Sequence, residues 1–145
     1  MEERCYDVLK LENQLCFPLY ACSREIIKQY KPFLDELDLT YTQYITMMVL
    51  WERQSLSAKE LGQILYLDSG TLTPLLKKLE GRGLVDRRRD PEDERSLLVT
   101  LTEAGAALRR EAARVPEQMA RCVPLTPEEA GTLYALLYKI LNQGK

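Results

Sequence analysis

The chain has 145 residues, 46% of them hydrophobic and 29% charged, with a net charge of −2. That balance suits one folded domain with a real core and excludes wholesale disorder. No apolar run approaches the ~18 residues that cross a bilayer, and the opening Met1-Glu-Glu-Arg-Cys-Tyr-Asp7 lacks a secretory pattern, so a cytoplasmic protein with no membrane partner is expected.

In chain order, Leu9 to about Tyr30 reads as a first helix, closed by Lys31-Pro32 because proline disfavours helix at the residue before it. Pro18 leaves a second possibility, that the regular helix begins near Phe17 or Pro18 and places Cys16 at its amino end. A second helix is expected from about Thr42 to Trp51. Ser57-Ala-Lys-Glu60 has the form of a capping box and opens a third, with a core face of Leu61, Ile64 and Leu65. Asp68 then caps a fourth helix ending at Gly81-Arg-Gly83, where glycine supports a left-handed stop. Pro74 lies inside it, and the expectation is an irregular start over Asp68 to Thr71 that leaves the proline early in the regular part. Leu84-Val85 and Leu97 to Leu101 read as strands bracketing a charged hairpin, Arg87 to Ser96, with turn chemistry at Asp90-Pro-Glu-Asp93. Thr102 caps a fifth helix to about Arg114, interrupted at Pro116, and Thr126-Pro-Glu-Glu129 starts a last one through Leu133, Leu136, Leu137, Ile140 and Leu141.

The fourth helix and the hairpin carry the functional signal. Leu72, Leu75, Leu76 and Leu79 recur at helical spacing, so one stripe is buried. The other faces present Ser69, Thr71, Thr73, Lys77 and Lys78, all donors to phosphates or base edges. A helix followed by a basic hairpin is a winged helix-turn-helix, here expected over 42–101, and its partner is double-stranded DNA. Net charge argues mildly against this, since affinity for phosphate comes from cations. Its distribution restores the case: residues 69–89 hold the six cations Lys77, Lys78, Arg82, Arg87, Arg88 and Arg89 against the two acids Glu80 and Asp86. The fold class is therefore mainly α with a small β-wing, the reading unit being flanked by dimerising helices at 9–30 and 103–141. Leu11, Leu15, Phe17 and Leu19, with the apolar residues of the last helix, exceed what a unit of that size can cover. A homodimer covers them and matches a pseudo-palindromic operator. Arg95, near the wing tip and able to pair with Asp93, is expected to reach the minor groove.

Histidine is absent, which removes the usual general base and the commonest zinc ligand. The cysteines at 5, 16, 22 and 122 show no Cys-x-x-Cys spacing, and no glycine-rich phosphate loop occurs, so no catalytic residue, metal site or cofactor is expected. A cysteine in such a protein is by default a small buried hydrophobe. Cys16 differs, because at a helix amino end the dipole and free amides favour a thiolate, the form that peroxides oxidise to a sulfenic acid.

The stretch Leu11-Glu-Asn-Gln-Leu-Cys-Phe17, then Tyr20, Tyr30-Lys-Pro32, Leu39-Thr-Tyr-Thr-Gln-Tyr44, Tyr66-Leu-Asp-Ser-Gly-Thr-Leu-Thr-Pro74 and Asp93-Glu-Arg-Ser96 strongly resembles the organic hydroperoxide resistance regulators of the MarR family, over residues 9 to about 141. The resemblance implies a single domain over 1–145 that dimerises, represses transcription and senses organic hydroperoxides. It matches Cys16 to the family's peroxidatic cysteine, Tyr30 and Tyr41 to two tyrosines that reach that cysteine from the other subunit, and Tyr20 to a nearby one. Pro18 departs from the family, which more often has an apolar helix former there. Members with one cysteine form mixed disulfides with small thiols, and members with two form a disulfide between subunits; Cys122 resembles the resolving cysteine of the second class, while Cys5 and Cys22 match no assigned position. Two rival readings stand beside this one: a MarR-type regulator released by a small lipophilic or phenolic ligand, with the cysteines incidental, and a helical thiol peroxidase, which would have no use for a basic wing.

Overall fold

The computed structural model describes residues 5–143. Among the described residues, seven α-helices and three strands follow two short 3-10 turns, Asp7–Leu9 and Leu11–Asn13: α1 (Cys16–Asp35), α2 (Tyr41–Arg53), β1 (Ser55–Ser57), α3 (Ala58–Leu65), α4 (Ser69–Gly81), β2 (Val85–Arg89), β3 (Leu97–Leu101), α5 (Glu103–Ala112), α6 (Val115–Ala120) and α7 (Pro127–Leu141).

The first helix starts at Cys16 and not at Leu9, which bears out the second of the two expected starts, with Cys16 at the amino end. Asn13 Nδ2 donates to the Asp7 carbonyl at 2.7 Å and Gln14 Nε2 to the Val8 carbonyl at 2.6 Å, and such side-chain bonds to the main chain compete with helix. At its other end α1 runs through Pro32 to Asp35. The proline removes the donor that the Lys28 carbonyl would use, but both residues lie on the exposed face, where water takes its place.

Five later helices, α2 to α5 and α7, begin on side-chain caps, that of α4 being Asp68. Thr40 and Gln43 form a full capping box on α2, as do Thr126 and Glu129 on α7. Ser57 accepts from the Glu60 amide at 3.1 Å, half of the expected box, and Thr102 accepts from the Gly105 amide at 3.0 Å. The break after α5 falls at Ala113 and Arg114, and Pro116 sits in the first turn of the separate helix α6, where its missing N–H costs nothing.

The sheet order is β1-β3-β2, all antiparallel, with Leu56 opposite Val99 and Arg87 also opposite Val99 from the other side. Strand β1 has no clear local signal: three residues are held by pairing with a segment over forty positions away. The core lies between the sheet and α2 to α4. Met47, Leu50, Leu61, Leu76, Leu79, Val85 and Val99 are all 1% exposed or less. Of the expected α3 face, Leu61 is buried and Leu65 packs against the core, while Ile64 is exposed. At the base, Trp51 Nε1 donates to the Gly105 carbonyl at 2.8 Å. A Cβ at Gly105 would stand 2.2 Å from the Leu84 carbonyl oxygen, so only glycine lets α5 approach the wing this closely.

Helix α1 packs on α2 and α6 through its later turns, burying Leu34. Its earlier turns leave Leu15, Phe17, Leu19, Ile26 and Ile27 exposed, and α7 leaves Leu133, Tyr134, Leu136, Ile140 and Leu141 exposed. These are the apolar faces that the composition predicts a single reading unit cannot cover, and patches of this kind mark interaction surfaces.

Candidate nucleic-acid interface and thiol site

Helices α3 and α4 meet at a turn whose hinge residue Tyr66 is left-handed, φ 57°, and Asp68 closes it by accepting from the Thr71 amide at 2.8 Å. That bond holds the Asp68 carboxyl below the usual carboxylate range. The cap makes the first turn of α4 regular, so the expected irregular start is absent and Pro74 lies well inside the helix. Its missing N–H leaves the Gly70 carbonyl without the usual helical donor, on an exposed face where solvent or a ligand can supply one. All four stripe leucines are buried, together worth about 6–12 kcal/mol of gross transfer free energy at ~1.5–3 kcal/mol each. That anchors the opposite face outward. The helix ends through Arg82 to Gly83, whose φ is +74°.

Ser69, Thr71, Thr73, Lys77 and Lys78 are all exposed on α4. Between α3, α4 and the wing runs an open groove of about 1140 Å³ whose walls include Ser69, Thr73, Asp93 and Arg95, together with Lys59 and Gln63 of α3. Those last two are not singled out by the sequence. Their signal was available, since Lys59 and Gln63 stand four apart on the face opposite Leu61. Lys78 faces elsewhere, into a hollow of about 380 Å³ shared with Asp35, Asp38 and Arg82.

The three consecutive arginines lie in strand β2 and not in the hairpin tip, so alternation along the strand separates them. Arg87 turns inward, its side chain 17% exposed, and donates to Glu80 Oε1 at 3.0 Å while its own amide donates to Oε2 at 3.2 Å. Those bonds hold the Glu80 carboxyl below its ordinary range. Arg88 points outward, and Arg89 donates to the Glu94 carbonyl at 2.7 Å across the hairpin. At the tip, Asp93 accepts from the Arg95 amide at 3.1 Å. The pair is thus joined through the main chain, and among the described residues the exposed Arg95, which lines the groove, forms no ion pair.

The thiols form a second group. Cys16, the first residue of α1, is exposed, as are Cys5 and Cys22, and Cys122 is half-buried just past α6 with its Sγ 3.5 Å from the Gln118 carbonyl oxygen. All four are unpaired thiols. Tyr20 stands one turn beyond Cys16, its hydroxyl accepting from Arg24 Nη1 at 2.7 Å. Tyr30 is on the same helix but about 21 Å further along at ~1.5 Å per residue, so within one chain it does not reach Cys16. Instead it packs with Tyr41 and Tyr44, at ring separations of 4.9 Å from Tyr41 and 5.9 Å from Tyr44. Burial raises the Tyr30 and Tyr41 hydroxyls above the ordinary phenol value, with Tyr41 adding to the shift at Tyr30, and burial together with both neighbours pushes Tyr44 to about 12. The three phenols stay protonated and able to donate. Tyr44 completes this cluster, and its spacing of three from Tyr41 on α2 is the signal for it. Among the described residues no three His, Cys, Asp or Glu side chains gather as a metal site, and no helix is long and apolar enough to cross a membrane.

Comparison with known proteins places this geometry among regulators. Residues 28–111 match the model of the transcriptional regulator SarA/Rot family. The chain is 50% identical over 140 residues to the organic hydroperoxide resistance transcriptional regulator of Bacillus subtilis, covering 97% of this chain and 95% of the relative. Among solved structures, reduced AbfR bound to DNA superposes with a TM-score of 0.78 at 33% identity, over 96% of each chain. A disulfide-formed AbfR superposes less well, with a TM-score of 0.60 at 36% identity over 99% of this chain and 94% of that one; AbfR is a protein of Staphylococcus epidermidis.

Proposed function

The chain belongs to the MarR family of winged-helix transcriptional regulators, in its organic hydroperoxide resistance branch, and from that membership we propose a repressor whose hold on its operator is governed by oxidation of Cys16. Two subunits joined through the exposed faces of α1 and α7 present two copies of α4 to successive major grooves of a pseudo-palindromic duplex. The wing tips, led by Arg95, reach into the flanking minor grooves.

The observation that carries the sensing half is the position of Cys16: an exposed thiol opening a helix, set within an apolar surface suited to a second subunit. An organic hydroperoxide transfers its terminal oxygen to the thiolate. The S–O bond forms, the O–O bond breaks, and the alkoxide leaves and takes a proton to become the alcohol. The sulfenic acid then condenses with the partner's Cys122 thiol, releasing water and forming a disulfide. Tyr30 and Tyr41, kept protonated, donate to the thiolate from across the dimer, and Tyr20 donates from its own helix. Because a disulfide needs Cα atoms within roughly 7 Å, closing the bond draws α6 and the following link toward α1 and changes the spacing of the two reading units. The half-burial of Cys122 and its contact with Gln118 favour one alternative, a mixed disulfide of Cys16 with a small thiol.

The test is an operator gel shift with and without cumene hydroperoxide, run alongside non-reducing gels. The reading expects release on oxidation, loss of release in Cys16→Ser, and a covalent dimer absent from both Cys16→Ser and Cys122→Ser. Release that survives Cys16→Ser would overturn peroxide sensing at this thiol. A mixed disulfide in the wild type would assign the one-cysteine mechanism.

A further inference from the structure

Cys16, Tyr20 and Arg24 stand four residues apart on α1, so they share one face, and helical side chains lean toward the amino end, each over the one before it. Arg24 shows that lean directly: Nη1 lies 2.7 Å from the Tyr20 hydroxyl oxygen, and the guanidinium carbon lies 5.6 Å from the Tyr20 ring centroid. Both contacts act on one side chain. The hydrogen bond occupies a lone pair of the phenol oxygen and holds the guanidinium at the hydroxyl end of the ring, leaving the phenol proton free to be donated to another acceptor.

The charge is not spent elsewhere. Among the described residues Arg24 forms no ion pair, while the neighbouring Glu25 is paired with Lys28 at 3.2 Å. Surface arginines that merely solvate a helix need no such arrangement. A hydroxyl that accepts from a cation is a stronger donor through its own proton, because successive hydrogen bonds polarise one another.

We propose that Arg24 is a positioning residue for the Cys16 thiolate, acting through Tyr20. The inference rests on Cys16 being the reactive thiol: Arg24 holds and polarises the phenol, the phenol donates to sulfur, and the thiolate is thereby kept in place for attack on an electrophile. Arg24 itself touches no reacting atom.

The experiment uses the full chain with Cys5, Cys22 and Cys122 replaced by Ser, so that Cys16 is the only thiol. Rates of its reaction with iodoacetamide and, separately, with cumene hydroperoxide are measured for this parent, Arg24→Gln, Arg24→Lys, Tyr20→Phe and the Tyr20→Phe/Arg24→Gln pair, each checked for an unchanged thermal transition. Arg24→Gln and Tyr20→Phe are each expected to slow the iodoacetamide reaction roughly three- to tenfold, the range of one modest hydrogen bond. The double variant is expected to be no slower than Tyr20→Phe, and Arg24→Lys to recover part of the loss. An unchanged rate in Arg24→Gln overturns the proposal, as does an equal slowing by Arg24→Gln in the Tyr20→Phe background, which would make the cation act directly. Coupled iodoacetamide rates beside an inert reaction with cumene hydroperoxide would uphold the role of Arg24 while removing peroxide sensing.

Discussion

Arg82 ties the two ends of the regulatory unit together, and removing it should cost a predictable amount. It stands just past α4 and its guanidinium donates to the main-chain carbonyls of Leu37, at 3.3 Å, and of Asp38, in the turn that ends α1. Its Nε also lies 3.7 Å from the Asp38 carboxylate, but that carboxylate is 91% exposed and the pair adds little. A hydrogen bond from a charged donor is worth about 1.5–3 kcal/mol when buried. Here one bond is long and the side chain is one-third exposed, so about 2 kcal/mol in total is reasonable for Arg82→Ala. For a chain of this size that is a drop of roughly 4–8 °C in Tm. Urea unfolding at fixed chain concentration, so that subunit association is held constant, gives the number directly. Asp38→Asn retains the carbonyls and suits the left-handed φ of 53°, so it should cost under about 0.5 kcal/mol. If Arg82→Ala shifts stability by less than about 1 kcal/mol, or Asp38→Asn matches it, the carbonyl clamp is not what holds this turn.

Gly105→Ala should lose about 3 kcal/mol or more, since its new methyl meets the Leu84 carbonyl oxygen at 2.2 Å and Leu101 Cδ1 at 2.7 Å; calorimetry on the purified variant decides it. Glu80 is held below its ordinary range by Arg87, so its contribution to stability is present above ~pH 5 and fades as the pH falls through the carboxylate range. In Glu80→Gln the stability difference from wild type should therefore shrink toward acid, and a difference that grows there would refute the pairing. Arg95→Ala should weaken operator binding at least tenfold, about 1.4 kcal/mol, with little change in Tm, whereas Arg87→Ala should lower Tm; fluorescence anisotropy and melting of both variants separate a contact with DNA from a brace. Tyr41→Phe should slow Cys16 oxidation by removing a donor while repression by the reduced protein survives, as stopped-flow thiol loss and a gel shift will report.

Short-range chemistry made most of the fold readable. Asp68, Thr102 and Thr126 announce their helices because a cap is local, and the leucine stripe of α4 because its period is. What escaped depends on distance. Strand β1 exists through pairing with β3, and Pro74 is tolerated mid-helix because its lost bond faces outward. Among the candidate contacts, the run Arg87-Arg88-Arg89 looks uniform in sequence but strand alternation and Glu80 divide it. The thiol site is legible as residue types, yet within one chain Tyr30 packs with Tyr41 and Tyr44, well along α1 from Cys16, and the proposed dimer is what would bring the tyrosines to the thiol.

The bond between Glu80 and Arg87 also has a mechanical meaning. It ties α4, the helix proposed to enter the major groove, to the strand that bears the wing, and β3 pairs the same strand with the segment leading into α3. The DNA-contacting part is thus a stiff fork. Paired grooves recur every ~34 Å along a duplex, and two such forks cannot absorb a misfit by flexing. In the proposed repressor, a tilt imposed where the subunits meet would therefore be carried to both prongs, so that a small displacement near the handle is expected to weaken the hold on the duplex.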